Sequence, residues 1–186
     1  MPKNYKKPKE PTCRIFIGIQ LDKTTQEFLN YLASLITNKL SVPSLASAHW
    51  IACKNRHITL CFLGQVPIKT IPPLKTGLTS IARNTTETKT RLFKLDTFPG
   101  NDAHLIAAEI TVTKQLATLH MSVKRLAESL SIPTENRCYR PHITLCRNRK
   151  QFHGFSPVDL EHPITINNIT LYQSQPSPAG SLYTPY

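Results

Sequence analysis

The sequence predicts an α+β fold of two pseudo-symmetric lobes, each an antiparallel sheet with covering helices, with a cleft between them. Three observations predict it. The pentapeptide His-Ile-Thr-Leu-Cys occurs twice, at 57–61 and 142–146, with its histidines 85 positions apart. Each copy alternates a polar or small residue with an apolar one, the period of a half-buried strand. Segments with apolar residues at helical spacing accompany each copy, so each half of the chain carries one such strand and its covering helices.

The elements follow in order. Residues 1–11 hold four lysines and little to bury, and are expected to form a basic disordered tail. Residues 12–186 are expected to form a single two-lobed domain. A strand is expected at 14–21. Residues 22–25 are helix-start types, and Phe28, Leu29, Leu32, Leu35 and Ile36 space out a helix over 24–40. Residues 43–48 read as a loop and 49–53 as a short strand before the first repeat, which Gly64 and Pro67 end. Pro72 and Pro73 can open a helix, since proline is tolerated in a first turn, and Leu74, Leu78 and Ile81 mark its buried stripe. Polar residues 84–89 read as a loop. Strands at 92–98 and 104–112 flank a turn at 99–102. Leu116, Leu119, Val123, Leu126, Ala127 and Leu130 mark a helix over 114–130. The second repeat is followed by a basic loop at 147–150, a last strand at 164–172, and a tail with Gly180 and Tyr183.

Composition narrows the function classes. At 186 residues and 40% hydrophobic the chain can bury a proper core. A net charge of +12 and a pI near 9.7 favour an anionic partner, nucleic acid first. The five cysteines form no CxxC pair, and no signal peptide is visible, so free thiols and a reducing cytoplasmic setting are expected. The longest apolar run, 15–19, is too short to span a bilayer. No membrane partner is expected, and the protein is expected to be a monomer.

On a strand, residues i and i+2 face the same way. Each repeat would therefore present a histidine, a threonine and a cysteine to one face: His57, Thr59 and Cys61, and His142, Thr144 and Cys146. Two imidazoles and two hydroxyls suit a phosphodiester. One neutral imidazole takes a proton from the attacking oxygen, one imidazolium gives a proton to the leaving oxygen, and both states are accessible near neutral pH. The hydroxyls hold the non-bridging oxygens, and this chemistry requires no metal and no cofactor. Cys61 and Cys146 invite a Cys/His zinc site. Yet a histidine and a cysteine four apart on a strand lie about 13 Å apart, too far to share one ion. They are expected as small apolar floor residues.

The paired His-x-Thr strands resemble the HxTx motifs of the 2H phosphoesterase superfamily, and the likeness extends to its RNA 2′,3′-cyclic phosphodiesterases, also called 2′-5′ RNA ligases. Residues 14–19 (RIFIGI) resemble the opening strand of that family, and Trp50 sits where the family usually has tryptophan. Residues 57–64 (HITLCFLG) and 139–147 (YRPHITLCR) resemble its two motif stretches. The resemblance implies the 2H phosphoesterase fold. It also implies hydrolysis of an RNA or nucleotide 2′,3′-cyclic phosphate end to a 2′-phosphate, with a slow reverse 2′-5′ ligation. His57 would be the proton donor, His142 the proton acceptor, and Thr59 and Thr144 the phosphate holders.

Arg147 is a natural phosphate clamp, but it lies an odd number of residues from His142. In an ideal strand it points away, so the site needs the strand to bend or end there. Trp50 and Tyr139 are candidates for stacking on a base, with core packing the alternative. His49, His104, His120, His153 and His162 fit no paired motif and are expected to be structural or at the surface. Two rivals stay open. One is another 2H activity, on 2′-5′ oligoadenylate or a cyclic ADP-ribose phosphate. The other is a non-catalytic basic RNA-binding module.

Overall fold

A computed structural model describes residues 10–100, 103–177 and 180–186. Residues 1–9 of the expected tail, and Asn101 and Asp102 of the expected turn, lie outside the described residues.

β1 (Thr12–Gln20) supplies the spine of the first lobe. Ile15, Ile17 and Ile19 are essentially fully buried, each contributing about 1.5–3 kcal/mol of apolar burial. Its other face, Phe16 and Gly18, lies under the cleft. α1 (Lys23–Lys39) follows, capped by Asp22, whose carboxylate accepts from the Thr25 N–H at 2.7 Å. Such a cap is worth about 1 kcal/mol. Leu29, Leu32 and Ile36 form its buried stripe.

Residues 43–48, expected as a loop, form the short helix α2 (Val42–Ser47). Pro43 sits in its first turn, where a missing N–H costs nothing. β2 is only His49–Trp50, and a single 3-10 turn, Cys53–Asn55, leads into β3 (His57–Pro67). Gly64 does not end β3: the strand runs through it at φ +69°, a conformation glycine adopts without strain, and stops at Pro67.

α3 (Ile71–Asn84) opens on the two prolines. β4 (Thr88–Phe98) begins inside the expected loop, because Thr88 pairs with Ile166 on a distant strand. β5 (Leu105–Ile110), α4 (Lys114–Ser129, capped by Thr113) and β6 (His142–Arg147) follow as expected.

The C-terminal region differs most. One expected strand becomes three: β7 (Val158–Ile166), β8 (Ile169–Ser177) and β9 (Gly180–Pro185). β7 and β9 are edge strands. Edges accept the prolines at 163 and 185 that blur a strand pattern in sequence.

The sheets are antiparallel, in orders β3-β1-β8-β9 and β2-β6-β5-β4-β7. The two repeat strands, β3 and β6, meet between them, and α4 packs on β3 and β4. The α+β fold of two lobes with a cleft between is thus the observed one. Among the described residues no helix is long and apolar enough to cross a membrane.

Candidate active site

Both repeat strands carry the same irregularity. On β3, Thr59 pairs with Gly18 and Cys61 with Ile17, leaving Leu60 as an extra residue. On β6, Thr144 pairs with Ala107 and Cys146 with Ile106, leaving Leu145 extra. Each is a β-bulge, which turns the rest of its strand by one position. The consequence reverses a parity argument. Beyond the bulge the odd-numbered offset from the histidine faces the cleft, so Arg147 joins His142 and Thr144, and Phe62 joins His57 and Thr59. All six line one cavity of about 210 Å³. The bend that Arg147 needs is this bulge.

The same turn takes the cysteines out of the cleft. Cys61 and Cys146 are buried in the core. Burial pushes their thiols up to about 11 and about 12. They are inert fillers beneath the strands rather than residues on the histidine face.

Each imidazole is oriented by the chain just before it. His57 Nδ1 lies 2.7 Å from the Asn55 carbonyl oxygen and His142 Nδ1 lies 2.9 Å from that of Arg140. A carbonyl only accepts, so Nδ1–H donates in both rings and Nε2 is left as the working nitrogen. Each ring also rests on a phenylalanine. Phe16 lies 4.6 Å from His57 between ring centroids, and Phe98 lies 3.9 Å from His142. Tyr183 meets His57 edge-on at 5.1 Å.

These surroundings disfavour the charged imidazole. Burial lowers His57 from 6.5 to about 4, opposed by its carbonyl partner and aided by His142 and Arg147. Burial also lowers His142, opposed by the Arg140 carbonyl and by Glu109, and aided by Arg140 and Arg147. Both shifts favour the neutral imidazole near pH 7, and a bound anion would draw protons back onto the rings.

Gly18 permits the close fit on β1. A Cβ there would stand 2.9 Å from the Ile58 carbonyl oxygen and 3.4 Å from His57 Cδ2. Asn55 closes the cavity near β9, donating from Nδ2 to the Ser181 carbonyl at 2.8 Å.

Trp50 and Tyr139 do not line the cavity. Trp50 packs against the core, and Tyr139 is stacked on His120. Both side chains are packed as the core-packing alternative describes. Pairing sets it: Trp50 lies opposite Cys146, a buried position, on β6. The aromatic side chains that do line the cavity are Phe16, Phe62 and Tyr183, with the Arg14 guanidinium 5.1 Å from the Phe62 ring centre. Sequence reasoning missed them. Phe62 could have been found by noticing that it holds the place in the first repeat that Arg147 holds in the second. Tyr183 lay in what read as a tail.

Of the unassigned histidines, His120 and His162 are structural. His120 Nδ1 bonds the Leu60 carbonyl, and His162 stacks on Phe28 with centroids 3.9 Å apart. His49 and His104 are exposed beside a second groove.

No protein-family model matches the chain. It is 30% identical over 115 residues to an RNA 2′,3′-cyclic phosphodiesterase of Geobacillus stearothermophilus, a stretch of 61% of this chain and 37% of that one. It is 29% identical over 114 residues to a protein of the same name from Bacillus subtilis, covering 61% and 62% of the two chains. The match therefore spans less than two thirds of either relative. Among solved structures, TT0787 of Thermus thermophilus superposes with a TM-score of 0.77 at 21% identity, over 92% of this chain and 94% of that one. E. coli LigT complexed with 3′-AMP superposes with a TM-score of 0.71 at 21% identity, over 95% and 96%.

Proposed function

We infer that this chain is a 2H phosphoesterase and that it hydrolyses RNA 2′,3′-cyclic phosphate ends to 2′-phosphates without a metal. The observation that carries the reading is the matched pair of imidazoles. Each is locked through Nδ1–H to a carbonyl two residues before it, and each lines a cavity shared with Thr59, Thr144 and Arg147.

In the reaction, water attacks phosphorus in line with O3′. His142 Nε2 takes the water proton. The P–O3′ bond breaks, and the proton on His57 Nε2 passes to O3′. The threonine hydroxyls and the Arg147 guanidinium stabilise charge on the non-bridging oxygens. The imidazoles finish with roles exchanged, and proton exchange with solvent resets them. When a 5′-hydroxyl takes the place of water as the attacking oxygen on the cyclic phosphate, the same proton transfers break P–O3′ and leave a 2′-5′ linkage, and competition from water makes this ligation a slow side reaction. Phe62, backed by Arg14, offers the nucleobase a stacking face. The five free cysteines fit a reducing, cytoplasmic setting.

The test is incubation with a nucleoside 2′,3′-cyclic phosphate in EDTA, separating 2′- from 3′-phosphate products. Formation of the 2′-phosphate alone is expected. Cleavage of a 2′-5′ linked dinucleotide with the cyclic phosphate untouched would keep the site and move the substrate. Turnover of neither would leave a basic RNA-binding module.

A further inference from the structure

Beside the catalytic cavity lies a second groove of about 1270 Å³, and Arg147 lines both. One wall is α2 with the turn into β2, and the facing wall is the loop after β6. Arg147, Arg149 and Lys150 all line it and are all exposed, and among the described residues no carboxylate does. In a chain with a net charge of +12 basic side chains are common. A cation-lined channel opening beside a phosphodiester site is more specific.

The loop that carries these cations is built, not slack. Asn148 is buried at its start. Its Nδ2 donates to Ser47 Oγ at 2.9 Å and to the Ser44 carbonyl at 3.4 Å on the facing wall, and its Oδ1 accepts from the Lys150 N–H at 3.1 Å. The Asn148 N–H bonds the His104 carbonyl at 2.9 Å, and the Phe152 N–H bonds that of Ala103 at 3.0 Å. Phe152 is itself buried. Asn148 thus ties the two walls together, and little side-chain and loop ordering remains to be lost when an anion arrives.

We propose that this groove holds the sugar–phosphate chain on the 5′ side of the reacting nucleotide, with Arg149 and Lys150 neutralising its phosphodiesters. The preferred substrate is then a single-stranded oligoribonucleotide with a cyclic end rather than a free cyclic nucleotide. The proposal rests on the hydrolase reading above. A cavity of about 210 Å³ holds the cyclic phosphate and its ribose. The chain leaving O5′ needs an exit, and Arg147 marks one that continues into positive charge. Each neutralised phosphate adds about 0.7 to the slope of log affinity against log salt for a single strand.

The experiment measures kcat/KM over a potassium chloride series for a nucleoside 2′,3′-cyclic phosphate and for a short oligoribonucleotide with the same cyclic end. The wild type is compared with Arg149→Glu/Lys150→Glu and with the milder Arg149→Gln/Lys150→Gln, both checked for an unchanged melting temperature. Neither residue lines the catalytic cavity, so turnover of the free nucleotide is expected to stay within about twofold. On the oligonucleotide, kcat/KM is expected to fall about tenfold or more, mainly in KM, with the salt slope reduced by about 1.4 for two lost contacts. An unchanged salt slope, or equal losses on both substrates, overturns the groove. Should neither the free nucleotide nor the oligonucleotide turn over, the hydrolase reading fails separately. The groove is then judged by anisotropy of a labelled oligoribonucleotide: retention of binding and salt slope in both variants overturns it, and their loss supports it.

Discussion

His120 lies flat on Tyr139, with ring centroids 4.0 Å apart and planes within 5°. Each ring serves one carbonyl of the β3 bulge: the Tyr139 hydroxyl donates to Thr59 O at 3.3 Å and His120 Nδ1–H to Leu60 O at 2.8 Å. β3 is an edge strand, and a bulged residue has no ladder partner. The stacked pair supplies partners from outside the sheet. On β6 the same need is met by the Ile51 N–H, which bonds Leu145 O at 2.9 Å.

Tyr139→Phe removes one of these bonds without opening a cavity, at a cost of about 1 kcal/mol. His120→Ala leaves Leu60 O without its partner and is expected to cost more. Both act by positioning His57 and Thr59, so kcat is expected to fall several-fold with KM little changed. His120→Asn, which keeps a donor, is expected to recover part of the loss. A change confined to KM in Tyr139→Phe would place Tyr139 on the substrate instead.

The reaction needs one charged and one neutral imidazole. Burial lowers His57 to about 4 and His142 below its usual 6.5. Well above the ordinary imidazole value both are neutral and the acid is missing; at low enough pH both are charged and the base is missing. The free-enzyme profile, kcat/KM, is therefore expected to be bell-shaped with its optimum below 6.5, as a property of the pair. An anionic substrate favours imidazolium, so the alkaline limb of kcat should lie at higher pH than that of kcat/KM. Arg147 repels charge on both rings, so Arg147→Ala should move the alkaline limb upward while raising KM. A kcat/KM optimum above pH 7 in the wild type would contradict the burial of the rings.

Acid and base separate by leaving group. Alanine at either histidine is expected to remove most turnover of a cyclic phosphate, on the order of 10²–10⁴-fold. A diester that expels 4-nitrophenolate needs no protonated leaving oxygen. His57→Ala should recover much of its rate on that substrate and His142→Ala should not. The opposite pattern would exchange the two roles.

Gly18→Ala puts a methyl against the Ile58 carbonyl and the His57 ring. Overpacking of this kind costs about 1–3 kcal/mol, or roughly 2–4 °C in Tm for each kcal/mol. The displacement also reaches His57, so kcat should fall with Tm. Thermal unfolding beside kinetics checks this, and a variant as stable and active as the wild type would mean the strands part there without cost.

The sequence by itself determined most of the local elements as far as β6 and the histidine and threonine side chains that the two repeats bring to the cavity. The duplicated pentapeptide located both strands, Asp22 and the leucine spacings located α1, and the paired His-x-Thr located His57, Thr59, His142 and Thr144. Tertiary structure decided which way the chain faces beyond those threonines. Alternation along an ideal strand is a local property, so it placed Cys61 and Cys146 with the histidines and Arg147 away from them. The bulges at Leu60 and Leu145 arise only from pairing with β1 and β5, strands distant in sequence, and they invert that parity. Pairing likewise turned a supposed tail into β9, bringing Tyr183 to His57, and left Tyr139 as the support of a bulge. A side chain's type is written in the sequence, but its direction depends on the register of the neighbouring strand.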